Sequence, residues 1–246
     1  QVTLYGTSYA NGDLDLSGAH LSYGDFEGAT FQASDGSIRL NEAGLAHADL
    51  SGSTLTAGEL GDTTIDFAGA DLTNANLSGS TLSVESSYGD ATIDFAGADL
   101  TNADLSGAVL DASGGESLTY TEETKIDFSA ANLTNADLSG SELTATALYN
   151  DVAIDFTNAV LTKADLRDSE LTVNSTTDSG ADNAIIDFTG AGASLADAEL
   201  SGLKLTITSN SVDVIKAIKG LPPSQPPSPP ASPPPPPLPP SPPSQP

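Results

Sequence analysis

The chain has 246 residues, a formal net charge of −27, and no cysteine, methionine or tryptophan. That charge favours solubility and cations and disfavours direct contact with nucleic acid phosphates or anionic lipid, while the missing cysteine argues against a disulfide framework. No apolar run approaches the roughly 20 residues of a membrane span, and all 16 prolines fall between Pro222 and Pro246, so a proline-free body carries a proline-rich tail.

In chain order, residues 1–13 ("QVTLYGTSYA" and its continuation) alternate like a strand and read as an N-terminal strand or cap. Gln1 reads as the residue left when a signal peptide is removed.

From residue 14 to 207 the large apolar residues recur every five positions. In "IDFAG ADLTN ADLSG AVLDA", Ile93 to Ala112, the centres are Phe95, Leu100, Leu105 and Leu110. Neither a helix of period 3.6 nor a flat strand of period 2 keeps such a series on one face. Blocks of four units begin at Leu14, Ile38, Ile65, Ile93, Ile126, Ile154 and Ile186, spaced by 24, 27, 28, 33, 28 and 32 residues. Twenty residues of each spacing are the block itself, leaving inserts of 4, 7, 8, 13, 8 and 12 after the fourth unit. If each unit is a short side ending in a bend, four bends close one square turn. The inserts then leave at a single corner, where loop length costs little. The last block needs two extra residues, Ala191 and Gly192.

"ADLTN ADLSG" (Ala98–Gly107) and "ANLTN ADLSG" (Ala131–Gly140) resemble the pentapeptide-repeat motif, and the resemblance runs over about residues 14–207. It implies an all-β fold: a right-handed quadrilateral parallel β-helix of about seven coils, with the centre residue and the small residue two before it pointing inward. On that fold Phe67, Phe95, Phe128, Phe156 and Phe188 stack as one column about 4.8 Å apart. Ala70, Ala98, Ala103, Ala136 and Ala164 fill a narrow interior. Seven coils make a rod of roughly 34 Å.

Outward, an acidic ladder runs through Asp66, Asp94, Asp127, Asp155 and Asp187, led by Asp15 and Arg39. A second passes through Asp25, Asp49, Asn76, Asp104, Asp137, Asp165 and Glu199. Asp and Asn there are expected to hydrogen-bond the adjacent turn, since unscreened like charges across strands destabilise a sheet. Any calcium site on them would be weak and built on the surface. The fourth side starts as a threonine ladder (Thr30, Thr54, Thr81) but continues Val109, Glu142, Glu170 and Lys204, which interrupts an ice-binding pattern. His20 and His47 read as surface residues with no Ser-His-Asp or metal-ligand spacing around them. No cofactor and no enzymatic activity are expected.

Residues 208–220 read as a C-terminal cap in which Ser211 to Gly220 forms one short helix, with Ser211 as N-cap and Val214, Ile215 and Ile218 facing the core. The tail, 221–246, has the composition of polyproline II. Its Ser-Pro clusters resemble the hydroxyproline-rich segments of green-algal and plant cell-surface glycoproteins. That likeness marks Ser228, Ser232, Pro233, Pro234, Pro235, Pro236, Pro237 and Ser241 as candidates for modification. Asn174, in "NST", is the candidate N-glycan acceptor.

Tyr88, Tyr120 and Tyr149, from three inserts at one corner, would form a strip on which the tail of a neighbour stacks. The reading that follows is a secreted, extracellular structural protein that self-associates into a fibre or layer and carries glycans on its tail. The alternative is an acidic DNA mimic that inhibits a topoisomerase, and after it an ice-binding or divalent-cation-binding surface.

Overall fold

The computed structural model describes residues 3–5, 12–59, 61–115, 123–148, 151–175, 183–191, 195, 197–209 and 216–219. Its strands, in chain order, are β1 (Thr3–Tyr5), β2 (Leu14–Asp15), β3 (Thr30–Ala33), β4 (Ile38–Arg39), β5 (Thr54–Glu59), β6 (Thr63–Asp66), β7 (Thr81–Ser86) and β8 (Ala91–Asp94). They continue as β9 (Val109–Gly114), β10 (Glu123–Asp127), β11 (Glu142–Ala147), β12 (Asp151–Asp155), β13 (Glu170–Ser175), β14 (Ala184–Asp187), β15 (Lys204–Ser209) and β16 (Lys216–Lys219). Odd-numbered strands form one eight-stranded sheet and even-numbered strands another, all in sequential order. The paired strands are parallel, so the chain winds as a solenoid.

The other two sides are ladders of single bridges. One runs His20, Gly44, Asp71, Asp99, Asn132, Val160, and the other Asp25, Asp49, Asn76, Asp104, Asp137, Asp165, Glu199. Four sides per coil give the quadrilateral β-helix expected from the five-residue period.

Each bend follows from its five residues. After a centre such as Phe67, the Ala70 N–H donates to the Phe67 carbonyl at 2.9 Å, and Gly69 between them has φ +64°. Positive φ at that position is the signature of a type II turn. Three corners of each of the six coils that begin at Leu14, Ile38, Ile65, Ile93, Ile126 and Ile154 use it, which explains the Gly and Asn that end so many units; Asn74, Asn102 and Asn135 have φ of 55–56°. Asn enters this left-handed region more readily than other L-residues with a side chain.

The residue before the centre secures the same bend from outside. Asp66 Oδ1 accepts the Ala68 N–H at 2.8 Å, and Asp94, Asp127 and Asp155 accept Ala96, Ser129 and Thr157 at 2.7 Å each.

Inside, the centre residues and the small residues are buried at 0–2% exposure from Phe31 to Leu195. The five phenyl rings stack with centroids 4.9–5.0 Å apart and planes within 4°. Each ring leaves water completely, worth about 1.5–3 kcal/mol. Ala70, Ala98, Ala103, Ala136 and Ala164 sit beside them, equally buried.

Two expectations are corrected. Lys216–Lys219, inside the segment read as a helix, is a strand that pairs with β14 in the register Ile186↔Ile218 and Asp187↔Lys219. A helix of under ten residues is costly to nucleate, whereas the open edge of β14 offers a ready ladder.

The inserts, read as loops leaving a corner, are partly sheet. In the 8-residue insert before Ile93, Glu85 and Ser86 extend β7, and Ala91 and Thr92 begin β8. Ser86, Ala91, Ala147, Val152, Ser175 and Ala184 are buried there, so the two sheets continue past the square section as a thin two-layered flange. The layers approach so closely that a Cβ on Gly114 would lie 2.0 Å from Thr124 Oγ1.

Candidate functional site

The outward side chains are ordered by the ladders. On the even-numbered sheet, Asp15, Arg39, Asp66, Asp94, Asp127, Asp155, Asp187 and Lys219 fall in one column by strand register. One cation serves its middle: Lys125 Nζ lies 2.8 Å from Asp127 Oδ2 and 2.9 Å from Asp155 Oδ2. Burial alone would lower the Lys125 pKa, but bonds to those two carboxylates hold it well above its ordinary value. Burial likewise works to raise Asp155, yet bonds from Thr157 and Lys125 keep it below the usual carboxylate range. Asp94 goes the other way: burial raises it against the Ala96 N–H bond, and the charges of Asp127 and Asp66 add to the rise. Arg39 pairs with Asp13 near the first coil.

The second acidic ladder is capped in the same manner. Asp49, Asn76, Asp104 and Asp137 accept N–H bonds two residues on at 2.8–3.0 Å, and Asp165 is gripped by the Arg167 guanidinium. Asp71, Asp99 and Asn132 do the same on the remaining narrow side. The expectation that Asp and Asn bond the adjacent turn therefore describes the geometry. Among the described residues no group of three or more His, Cys, Asp or Glu is placed to hold a metal ion.

Asn102 Nδ2 donates to Asn74 Oδ1 at 3.1 Å, and Asn135 Nδ2 to Asn102 Oδ1 at 3.0 Å, making an amide ladder along one corner. At the same corner Tyr23 and His47 stack with centroids 4.7 Å apart. His20 lies on the bridge ladder of the adjoining side.

On the odd-numbered sheet the threonine column gives way as read: Lys204 Nζ pairs with Glu170 at 3.3 Å. Burial raises the pKa of Asp111, with Glu142 and Glu85 adding to it.

At the flange, a cavity of about 350 Å3 opens among Glu85, Ser87, Tyr88, Ser113, Gly115 and Leu148. Tyr88 is 61% exposed beside it. Tyr120 and Tyr149, the other members of the expected strip, lie outside the described residues, as do the tail candidates Ser228, Ser232, Pro233–Pro237 and Ser241. Asn174, the candidate N-glycan acceptor, is in β13 opposite Thr146 and Thr208.

Sequence reasoning passed over Lys125 and the left-handed corner. The signal for the first was present: Lys125 is the lone Lys or Arg between Arg39 and Lys163, and it stands two residues before a ladder aspartate, hence on the same face.

A family model described as pentapeptide repeats matches residues 65–83, 93–113 and 124–150, in eight copies. No curated protein is matched in sequence. Among solved structures, the chain is similar to trypsin-treated QnrB1, a plasmid-mediated fluoroquinolone resistance protein, at 17% identity over 83% of this chain and 89% of that one, with a TM-score of 0.17. It is also similar to HetL, a pentapeptide repeat protein involved in heterocyst differentiation regulation from the cyanobacterium Nostoc sp. strain PCC 7120, at 19% identity over 76% and 90%, with a TM-score of 0.14. The segments matched by that model coincide with coils whose phenylalanines stack and whose aspartates cap the bends.

Proposed function

We propose that the chain is a secreted structural subunit whose rods join end to end in an extracellular fibre or cell-surface layer, with the proline-rich tail glycosylated. The observation that carries this reading is the gradient of core exposure along the rod. Apolar residues of the middle coils are fully buried, whereas Leu14, Leu16, Leu21 and Phe26 at one end and Leu200, Leu203, Leu205 and Ile207 at the other are only partly covered. A heterologous contact between two such ends does not close on itself, and contacts of that kind build filaments. The tail composition supports an extracellular setting. Negative-stain microscopy of the full chain, with its native tail modification, tests the reading. Strings of rods are expected; monodisperse monomers at high concentration would overturn it.

A second reading rests on charge density. Eight rungs at about 4.8 Å make a repeat of roughly 38 Å, so a net charge of −27 is about one charge per 1.4 Å, close to the roughly 1.7 Å of duplex DNA. On that reading the body is an acidic DNA mimic that occupies a topoisomerase. A gyrase supercoiling assay with the full chain tests it: inhibition at micromolar protein is the expected result, and unaffected supercoiling removes the reading.

A further inference from the structure

The strands alternate strictly between the two sheets from β1 to β16. Among the described residues, the odd-numbered sheet therefore ends on β1 and β15, and the even-numbered sheet on β2 and β16. This alternation has a geometric consequence for two copies in line. If β1 of a second copy pairs with β15, then β2 of that copy falls on β16, and both sheets run through the junction with no strand missing and none in excess.

The registers say what would meet. Thr3 and Leu4 share columns with Thr30 and Phe31, which lead through successive strands to Lys204 and Leu205. Leu14 shares the column that ends at Ile218, and Asp15 the column that ends at Lys219. The apolar columns would thus continue as Leu205 to Leu4 and Ile218 to Leu14.

The charged column is more telling. Across the junction it would read Asp187, Lys219, Asp15, Arg39, Asp66, alternating in sign, in a column whose middle is aspartate throughout. Opposite charges on adjacent strands are favourable and like charges are not. The two ends differ in the same sense: residues 1–36 hold Asp13, Asp15, Asp25, Glu27 and Asp35 and no Lys or Arg, whereas residues 184–219 set Lys204, Lys216 and Lys219 against Asp187, Asp197, Glu199 and Asp213.

From these observations we infer that a second copy of this chain docks head to tail, with β1 on β15 and β2 on β16, so that Asp15 of one copy pairs with Lys219 of the other. The inference rests on the end-to-end reading above and specifies its contact. The junction leaves the two narrow sides one rung short, between Glu199 and the next copy's Asp25, which are the last and first rungs of their ladder. Each added copy lengthens the filament by eight rungs, roughly 38 Å.

The chain has no cysteine, which makes a direct test clean. Neighbouring parallel strands bring Cα atoms about 4.8 Å apart, within disulfide range. Asp15 and Lys219 of the same copy are seven rungs apart, roughly 34 Å. Under mild oxidation, the full chain with Asp15→Cys and Lys219→Cys should form a ladder of trimers and longer species on a non-reducing gel, cleared by reductant. Each single variant should stop at dimers. Thr3→Cys with Lys204→Cys is a second pair with the same expectation on the other sheet, and Asp15→Cys with Lys204→Cys, on different sheets, should not go beyond random dimers.

If the unmodified chain forms filaments but neither matched pair cross-links beyond the mismatched one, this junction is overturned and the end-to-end reading stands. If there are no filaments and no ladder, both fall.

Discussion

Two identical substitutions one rung apart should change stability in opposite directions. Asp94→Asn keeps an oxygen to cap Ala96, as Asn76 and Asn132 already do for Ser78 and Thr134. It removes a half-buried carboxylate whose pKa is raised by burial and by Asp127 and Asp66. Relief of two like-charge neighbours at about 0.2–1 kcal/mol each, less the lost attraction to Lys125, leaves a gain of about 0.5–1 kcal/mol at neutral pH. Asp127→Asn keeps its own cap to Ser129 but takes from Lys125 one of its two partners, in a pair whose side chains are 19% and 15% exposed. A hydrogen bond between charged groups is worth about 1.5–3 kcal/mol, and relief of repulsion from Asp94 offsets part of it. The net is a loss of about 1 kcal/mol.

For a body of this size 1 kcal/mol moves the melting temperature by about 2–4 °C, which thermal unfolding followed by circular dichroism resolves. The pH dependence supplies the control. Because the folded pKa of Asp94 is raised above the reference 3.8, its contribution to stability is present at low pH and lost as pH rises through the folded value, so the advantage of Asp94→Asn should shrink toward about pH 4. Asp155 has a lowered folded pKa, so its contribution is present above 3.8 and lost as pH falls through the folded value. Destabilisation by both variants, or a gain from Asp94→Asn that does not depend on pH, would refute the electrostatic account of the column.

Ala130 has φ +55° at a corner where equivalent positions carry Gly69 and Gly97, so Ala130→Gly should stabilise by about 1 kcal/mol, read as a higher urea midpoint with unchanged slope. Ser53, Ser80 and Ser141 are buried in one column with hydroxyls that find no partner among the described residues, while Ala108 fills the rung between Ser80 and Ser141. Ser80→Ala and Ser141→Ala should each be neutral or stabilising by about 1 kcal/mol, whereas Ser169→Ala should destabilise, because Ser169 Oγ reaches Leu166 O at 2.8 Å and Leu138 O at 3.0 Å; melting curves of the three variants check the contrast.

The period of five was legible because each unit repeats one local solution: an apolar centre, a small residue before the bend, an Asp or Asn to cap it, and a Gly or Asn to turn it. The phenylalanine column followed from phasing alone. The flange did not, because Ser86, Ala91, Thr124 and Ser175 are small or polar and carry no strand pattern of their own; they pair because the strands beside them are already in register. Lys216–Lys219 was misread for a related reason. "VIKAIK" suits a helix face as well as a strand, and the neighbouring edge of β14 decides between them. The candidate site was legible as columns of residues but not as chemistry, since which carboxylate Lys125 serves depends on the rung spacing and not on the repeat.

The stacked phenyl rings make the rod a ruler with fixed graduations. Every ring meets its neighbours at 4.9–5.0 Å, and each coil contacts the coils above and below it, so the solenoid is close to a one-dimensional array. Duplicating or deleting one coil would change its length by a single graduation of about 4.8 Å without asking any other core residue to repack. Loop lengths at the flange vary between coils while the graduations stay constant, so growth in girth and growth in length are separate variables in this architecture.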